Sequence, residues 1–81
     1  MFKVILLNDD KTTMDFVVFV LKEVFNKTQE AAVEITLKIH HEGSGVAGIF
    51  IEEVAETKTA TVKDLAAANN FPLKVIMEGE D

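Results

Sequence analysis

The 81-residue chain has no cysteine, so no disulfide can staple it, and a reducing compartment suits it. No apolar stretch approaches the roughly 20 residues of a membrane helix, and no basic segment leads into a long apolar run at the N-terminus. Neither a membrane span nor a secretory signal is therefore expected. Basic residues are scarce: 14 acids against 8 bases give a net charge of -6 with no basic cluster, which argues against a nucleic acid phosphate backbone as partner. Linkers, internal repeats and low-complexity tracts are missing too. One soluble, cytoplasmic, monomeric domain over residues 1–81 is the expectation. With 48% of residues apolar, it has enough material to bury a core unaided.

The most informative junction lies near the start. Phe2-Lys3-Val4-Ile5-Leu6-Leu7 reads as a buried strand, and Asn8-Asp9-Asp10 follows at once. Taken singly, such residues most often just begin a turn. Held together at a rigid strand end, they also offer acceptors to something cationic.

Thr12, with Asp15 placed to reach back, signals the start of a first helix running to about Phe25 and stopping near Asn26. On a 3.6-residue wheel Met14, Val17, Leu21, Val24 and Phe25 share a face, with Asp15, Lys22 and Glu23 opposite. Phe19 falls on the polar side, either incidental or a partner contact. A second helix fits Thr28 as cap, Glu30 in the first turn and Gly43 as C-terminal stop. Its spacing groups Ala32, Val33, Thr36, Leu37, Ile39 and His40 on one side, so His40 is expected to point in and His41 out. An inward histidine is more often a hydrogen-bonded core residue than a working group. Gly45–Ile51 reads as a second strand whose glycines admit a close neighbour. A third helix from Glu52 to Asn69 places Val54, Val62, Leu65 and Ala66 on one stripe, and Pro72–Met77 closes as a third strand. Lys58 sits inside that apolar stripe, where it either snorkels or reaches a partner.

The order strand, helix, helix, strand, helix, strand predicts an α+β fold. A right-handed crossover through the third helix leaves room for the first strand between the other two, giving a three-stranded antiparallel sheet covered by three helices. The ends of the first strand and second helix then meet the start of the first helix. Asn8 and Asp9 stand beside His40, above an apolar hollow of Met14, Val17, Thr36 and Ile39. Carboxylate, amide and imidazole acceptors over such a hollow suit an ammonium on an apolar body, and a free peptide N-terminus with a bulky first side chain is that object. Protonating His40 would present donors and charge to another cation, so binding is expected to weaken in acid.

These residues carry a family resemblance. KVILLNDDKTTMDFV, then IHHEG, GVAGIFIEEVAETK and FPL in the same order, resembles ClpS, the bacterial adaptor that hands N-degron substrates to the ClpAP protease. The resemblance implies that Asn8, Asp9 and His40 hold the substrate α-amino group and first peptide unit, with Asp10 and Thr12 supporting. Met14, Val17, Thr36, Ile39 and Leu73 match positions that line the family's pocket for N-terminal Leu, Phe, Tyr or Trp. Glu53 and Lys58 match its docking surface for the N-terminal domain of the ClpA unfoldase. It implies no catalytic residue, cofactor or metal. Three positions depart from the family pattern. Thr13 replaces a usual proline, and Thr36 replaces a frequent methionine at the pocket mouth, which predicts tolerance of Ile or Val as first residue. Only Met1 precedes Phe2, so the family's flexible N-terminal extension is expected to be absent and delivery to lag behind binding.

Three rival readings stand beside this one. A receiver-like phosphoacceptor domain also begins strand-Asp-Asp-helix, but five strands and five helices need well over 100 residues. A metal site on Asp9, Asp10 and His40 is a second. The ribosomal stalk C-terminal domain shares the element order, and a mere fold relative would ignore free N-termini.

Overall fold

Phe2–Leu7 forms β1, the middle strand of a sheet ordered β2-β1-β3, where β2 is Ser44–Phe50 and β3 is Lys74–Gly79. Both pairings are antiparallel. Helices α1 (Met14–Glu23), α2 (Gln29–Glu42) and α3 (Glu52–Ala68) complete the order β-α-α-β-α-β. The structure, a computed structural model, describes residues 1–80. This is the α+β architecture that the order of elements implies. β3 begins two residues later than expected, because Pro72 has no N–H to give a ladder and pairing begins at Lys74, and β2 begins one residue earlier, where Ser44 pairs with Leu7.

Alternation in β1 buries Val4 and Leu6 completely, and Ala47 and Val75 from the flanking strands join them. The opposite face leaves Val46, Ile49 and Ile76 exposed, so the helices cover one side only. Between Val4 and Ile5 the register to β2 slips, with Val4 opposite Gly48 and Ile5 opposite Val46. Ala47 is the extra residue of a bulge, and its small side chain is fully buried. Gly45 admits α2 closely: a Cβ there would meet Ile39 Cγ1 at 2.8 Å.

The cap of α1 corrects the sequence expectation. Thr13, not Thr12, is the N-cap, its hydroxyl accepting from the Phe16 amide at 3.2 Å. The buried stripe of α1 is Phe16, Val17, Val20 and Leu21, whereas Met14 and Phe19 are exposed. Thr28 caps α2 as expected, and Gly43 ends it at φ 93°, a left-handed conformation suited to glycine. The buried side of α2 is narrower than the wheel suggests: Ala32, Thr36 and Ile39 are buried, while Val33 and Leu37 are exposed. In α3 the buried stripe is Ala55, Thr59, Val62 and Ala66, and Val54 lies outside it.

Lys58 is half-buried and held within the molecule. Its ammonium donates to the Val24 carbonyl at 2.8 Å and lies 5.9 and 5.4 Å from the ring centroids of Phe25 and Phe50. It thereby satisfies a carbonyl at the C-terminus of α1, where a positive charge is favoured, and links α1 to α3. Replacing it by methionine keeps the stem and removes the charge. Lys58→Met is expected to lower stability by about 1–2 kcal/mol in urea denaturation. An unchanged midpoint would mean that the ammonium is solvated and contributes nothing.

Candidate functional site

Asp9 organises the loop between β1 and α1. Its Oδ1 accepts from the amides of Lys11 and Thr12, each at 2.8 Å, and its Oδ2 accepts from the Thr12 hydroxyl at 2.6 Å. This is an Asx turn closed by a threonine, and it explains why Thr12 is unavailable to cap α1. Burial pushes the Asp9 carboxyl up, but the bonds from Thr12 and Lys11, with the nearby Lys74 charge, outweigh it and hold it below its ordinary value. Asp9 is thus an anion at neutral pH. A carboxylate has about four lone-pair directions, so three loop bonds leave room for a further donor.

The strand end is fastened to α2. The Asn8 amide donates to the Gly43 carbonyl at 2.9 Å, so the helix that stops at a left-handed glycine turns its last carbonyl toward β1. That bond brings the last turn of α2 beside Asn8 and Asp9. His40 and His41 both lie in this turn, with ring centroids 5.3 Å apart in an edge-on pair. Both are exposed, which corrects the inward placement of His40. The wheel argument separates them nonetheless, because His40 lines the hollow and His41 does not.

The hollow holds about 250 Å³. Asn8, Asp9, Asp10, Thr12 and His40 supply its polar side, and Met14, Val17, Thr36 and Ile39 its apolar side. Met14 is 41% exposed and stands at the rim, whereas Thr36 is 4% exposed and belongs to the wall, not the mouth. The Thr36 hydroxyl donates to the Ala32 carbonyl at 2.8 Å, so its polar atom is satisfied by its own helix. Leu73 is not among the residues that line the hollow and is buried with the hydrophobic core. Glu53 is exposed in the first turn of α3, and Lys58 is bonded to Val24 one turn further on.

Sequence reasoning missed three contributors: the Gly43 carbonyl, Lys74 and the Thr13 cap. Only the last had a local signal. The spacing Asp9-x-x-Thr12 matches an Asx turn and would have released Thr13 for capping. Among the described residues, no three His, Asp or Glu side chains are grouped to hold a metal ion, and no helix is long and apolar enough to cross a membrane.

The model of the family described as ATP-dependent Clp protease adaptor protein ClpS matches residues 1–76. The chain is 58% identical over 80 residues to the ATP-dependent Clp protease adapter protein ClpS of Desulfatibacillum aliphaticivorans, covering 99% of this chain and 77% of that protein. It is 55% identical over 80 residues to the same adapter of Bdellovibrio bacteriovorus, covering 99% and 70%. Among solved structures, ClpS2 of Agrobacterium tumefaciens bound to L-phenylalaninamide matches with a TM-score of 0.93 at 38% identity, covering 98% of this chain and 95% of that one.

Proposed function

The chain belongs to the ClpS family of Clp protease adaptors, and we propose that it binds the free N-terminal Leu, Phe, Tyr or Trp of N-degron substrates and delivers them to the ClpA unfoldase of ClpAP. The observation that carries the binding half is the convergence of Asn8, Asp9 and His40 on one side of a hollow whose other side is apolar. The ligand of the Agrobacterium relative, phenylalaninamide, has the same two parts, an amine and a bulky apolar side chain.

In this reading the Asp9 carboxylate, Asn8 and His40 accept from the α-ammonium and meet the first peptide unit, while Asp10 adds negative charge at the rim. Met14, Val17, Thr36 and Ile39 enclose the first side chain. Burying a Leu or Phe side chain contributes about 1.5–3 kcal/mol, and each bond to the charged amine about as much again. Together they support affinity on the order of micromolar. Delivery runs through docking of the ClpA N-terminal domain on Glu53 and Lys58. An ammonium has three donors, so the bond to Val24 leaves two for an acidic partner. The adaptor carries no catalytic group in this scheme. Titrating labelled peptides that differ only in their first residue tests it: Leu and Phe should bind and Gly, Lys and Asp should not. Equal affinity for all five would refute it.

Thr36 sets the breadth of that preference. Because its hydroxyl is turned to Ala32, the short side chain leaves space in the wall that a longer residue would fill. We therefore expect binding of β-branched Ile and Val as well as Leu. Thr36→Met should raise the Leu-to-Ile affinity ratio several-fold by crowding the branch at Cβ. A ratio unmoved by the substitution would locate the selectivity elsewhere.

A further inference from the structure

A second hollow, of about 300 Å³, lies along α1, lined by Asp15, Val18, Phe19, Lys22 and Glu23 with Gln29 from the start of α2. Phe19 is 46% exposed there, stacked on Phe16 at a centroid distance of 6.3 Å. We infer that this groove receives the third to fifth residues of the same polypeptide whose first residue occupies the pocket at Asp9 and His40. The inference rests on the proposed binding of free N-termini and adds a subsite to it.

Continuity on both helices carries it. On α1, Met14 lines the first hollow and Val18, one turn on, lines the second. On α2, Gln29 lines the groove, and the exposed Val33 lies one turn from it and one or two turns from Thr36 and His40 of the pocket. At about 1.5 Å per helical residue, Phe19 lies roughly 7 Å along the axis from Met14 and Lys22 roughly 12 Å. An extended peptide advances about 3.3 Å per residue, so its third to fifth residues fall over this span.

The charges choose among occupants. Asp15 and Glu23 outnumber Lys22, which donates to the neutral Gln29 side-chain carbonyl at 2.9 Å and keeps its charge, so the rim is net negative on a protein of net charge -6. The favoured segment is apolar or basic, and an acidic one is repelled.

Three labelled peptides with a free N-terminal leucine test this, carrying glycine at positions two to five, phenylalanine at three and four, or aspartate at three and four. The phenylalanine peptide should bind about three- to tenfold tighter than the glycine peptide, and the aspartate peptide more weakly than either. Phe19→Ala should erase the phenylalanine advantage and leave the glycine peptide unchanged, which also reports that the variant is folded. Equal affinity of the three peptides, or an advantage that survives Phe19→Ala, would overturn the groove and leave the pocket standing. An advantage that tracks dimerisation in sedimentation would assign the groove to a second copy and equally overturn it. If acetylated versions bind as well as the free ones, the pocket reading fails and the groove falls with it.

Discussion

Acetylating the N-terminal amine of a Leu-started peptide is expected to weaken its binding by about 30- to 150-fold, the loss of roughly 2–3 kcal/mol of bonds between an ammonium and its acceptors. Asp9→Asn should produce much of the same loss from the protein side. Asparagine keeps an oxygen for the Lys11 and Thr12 amides and turns an N–H₂ toward the Thr12 hydroxyl, so the turn survives while the charge is removed. Asp9→Ala removes three loop bonds as well, which makes asparagine the cleaner variant. Isothermal titration with circular dichroism of the free protein separates binding from folding. An Asp9→Asn protein that binds at full strength would show that the Asp9 charge has no part in recognition.

The second large effect is the loss of the imidazole. His40 lines the hollow with Asn8 and Asp9, and its ring can offer a bare nitrogen to an ammonium. His40→Ala is expected to weaken binding of a Leu-started peptide about tenfold or more, whereas His41→Ala, outside the hollow, should keep full affinity. Titration of both variants with the same peptide checks it, and full affinity in His40→Ala or an equal loss in His41→Ala would show that the His40 ring takes no part. With pH, the sign is set by Asp9, whose carboxyl is held below its ordinary value by its bonds from Thr12 and Lys11. The bonds of its turn are therefore fully present above the unfolded carboxyl's pKa and are lost only as pH falls through the lower folded value.

The fold was legible where local pattern and topology agreed. β1 is an apolar run ended by acceptors, α2 has Thr28 and Gly43 at its ends, and a crossover through α3 leaves room for β1 in the order β2-β1-β3. The pocket followed, since the connection of three elements brought together Asn8, Asp9, His40 and four wall residues that lie far apart in sequence. What failed did so for physical reasons. Adjacent threonines give one capping signal for two positions, and only the competition for Thr12 by Asp9 decides between them. α2 carries apolar residues over more than one face, so a wheel does not say which of them packs inward, and Val33, Leu37 and His40 lie on the side left exposed. The Ala47 bulge and the bond from Lys58 to Val24 depend on partners distant in sequence, which no local pattern encodes.

The central claim is that a free, bulky N-terminal residue binds at the junction of β1, α1 and α2. Nuclear magnetic resonance titration of the protein with L-leucinamide tests it most directly, because every backbone amide reports its own position. Shifts concentrated at Asn8 through Thr12, at Val17, Thr36 and His40, and absent with N-acetyl-L-leucinamide, are the predicted result. No shifts at millimolar ligand, shifts centred away from these residues, or the same shifts with the acetylated compound would contradict it.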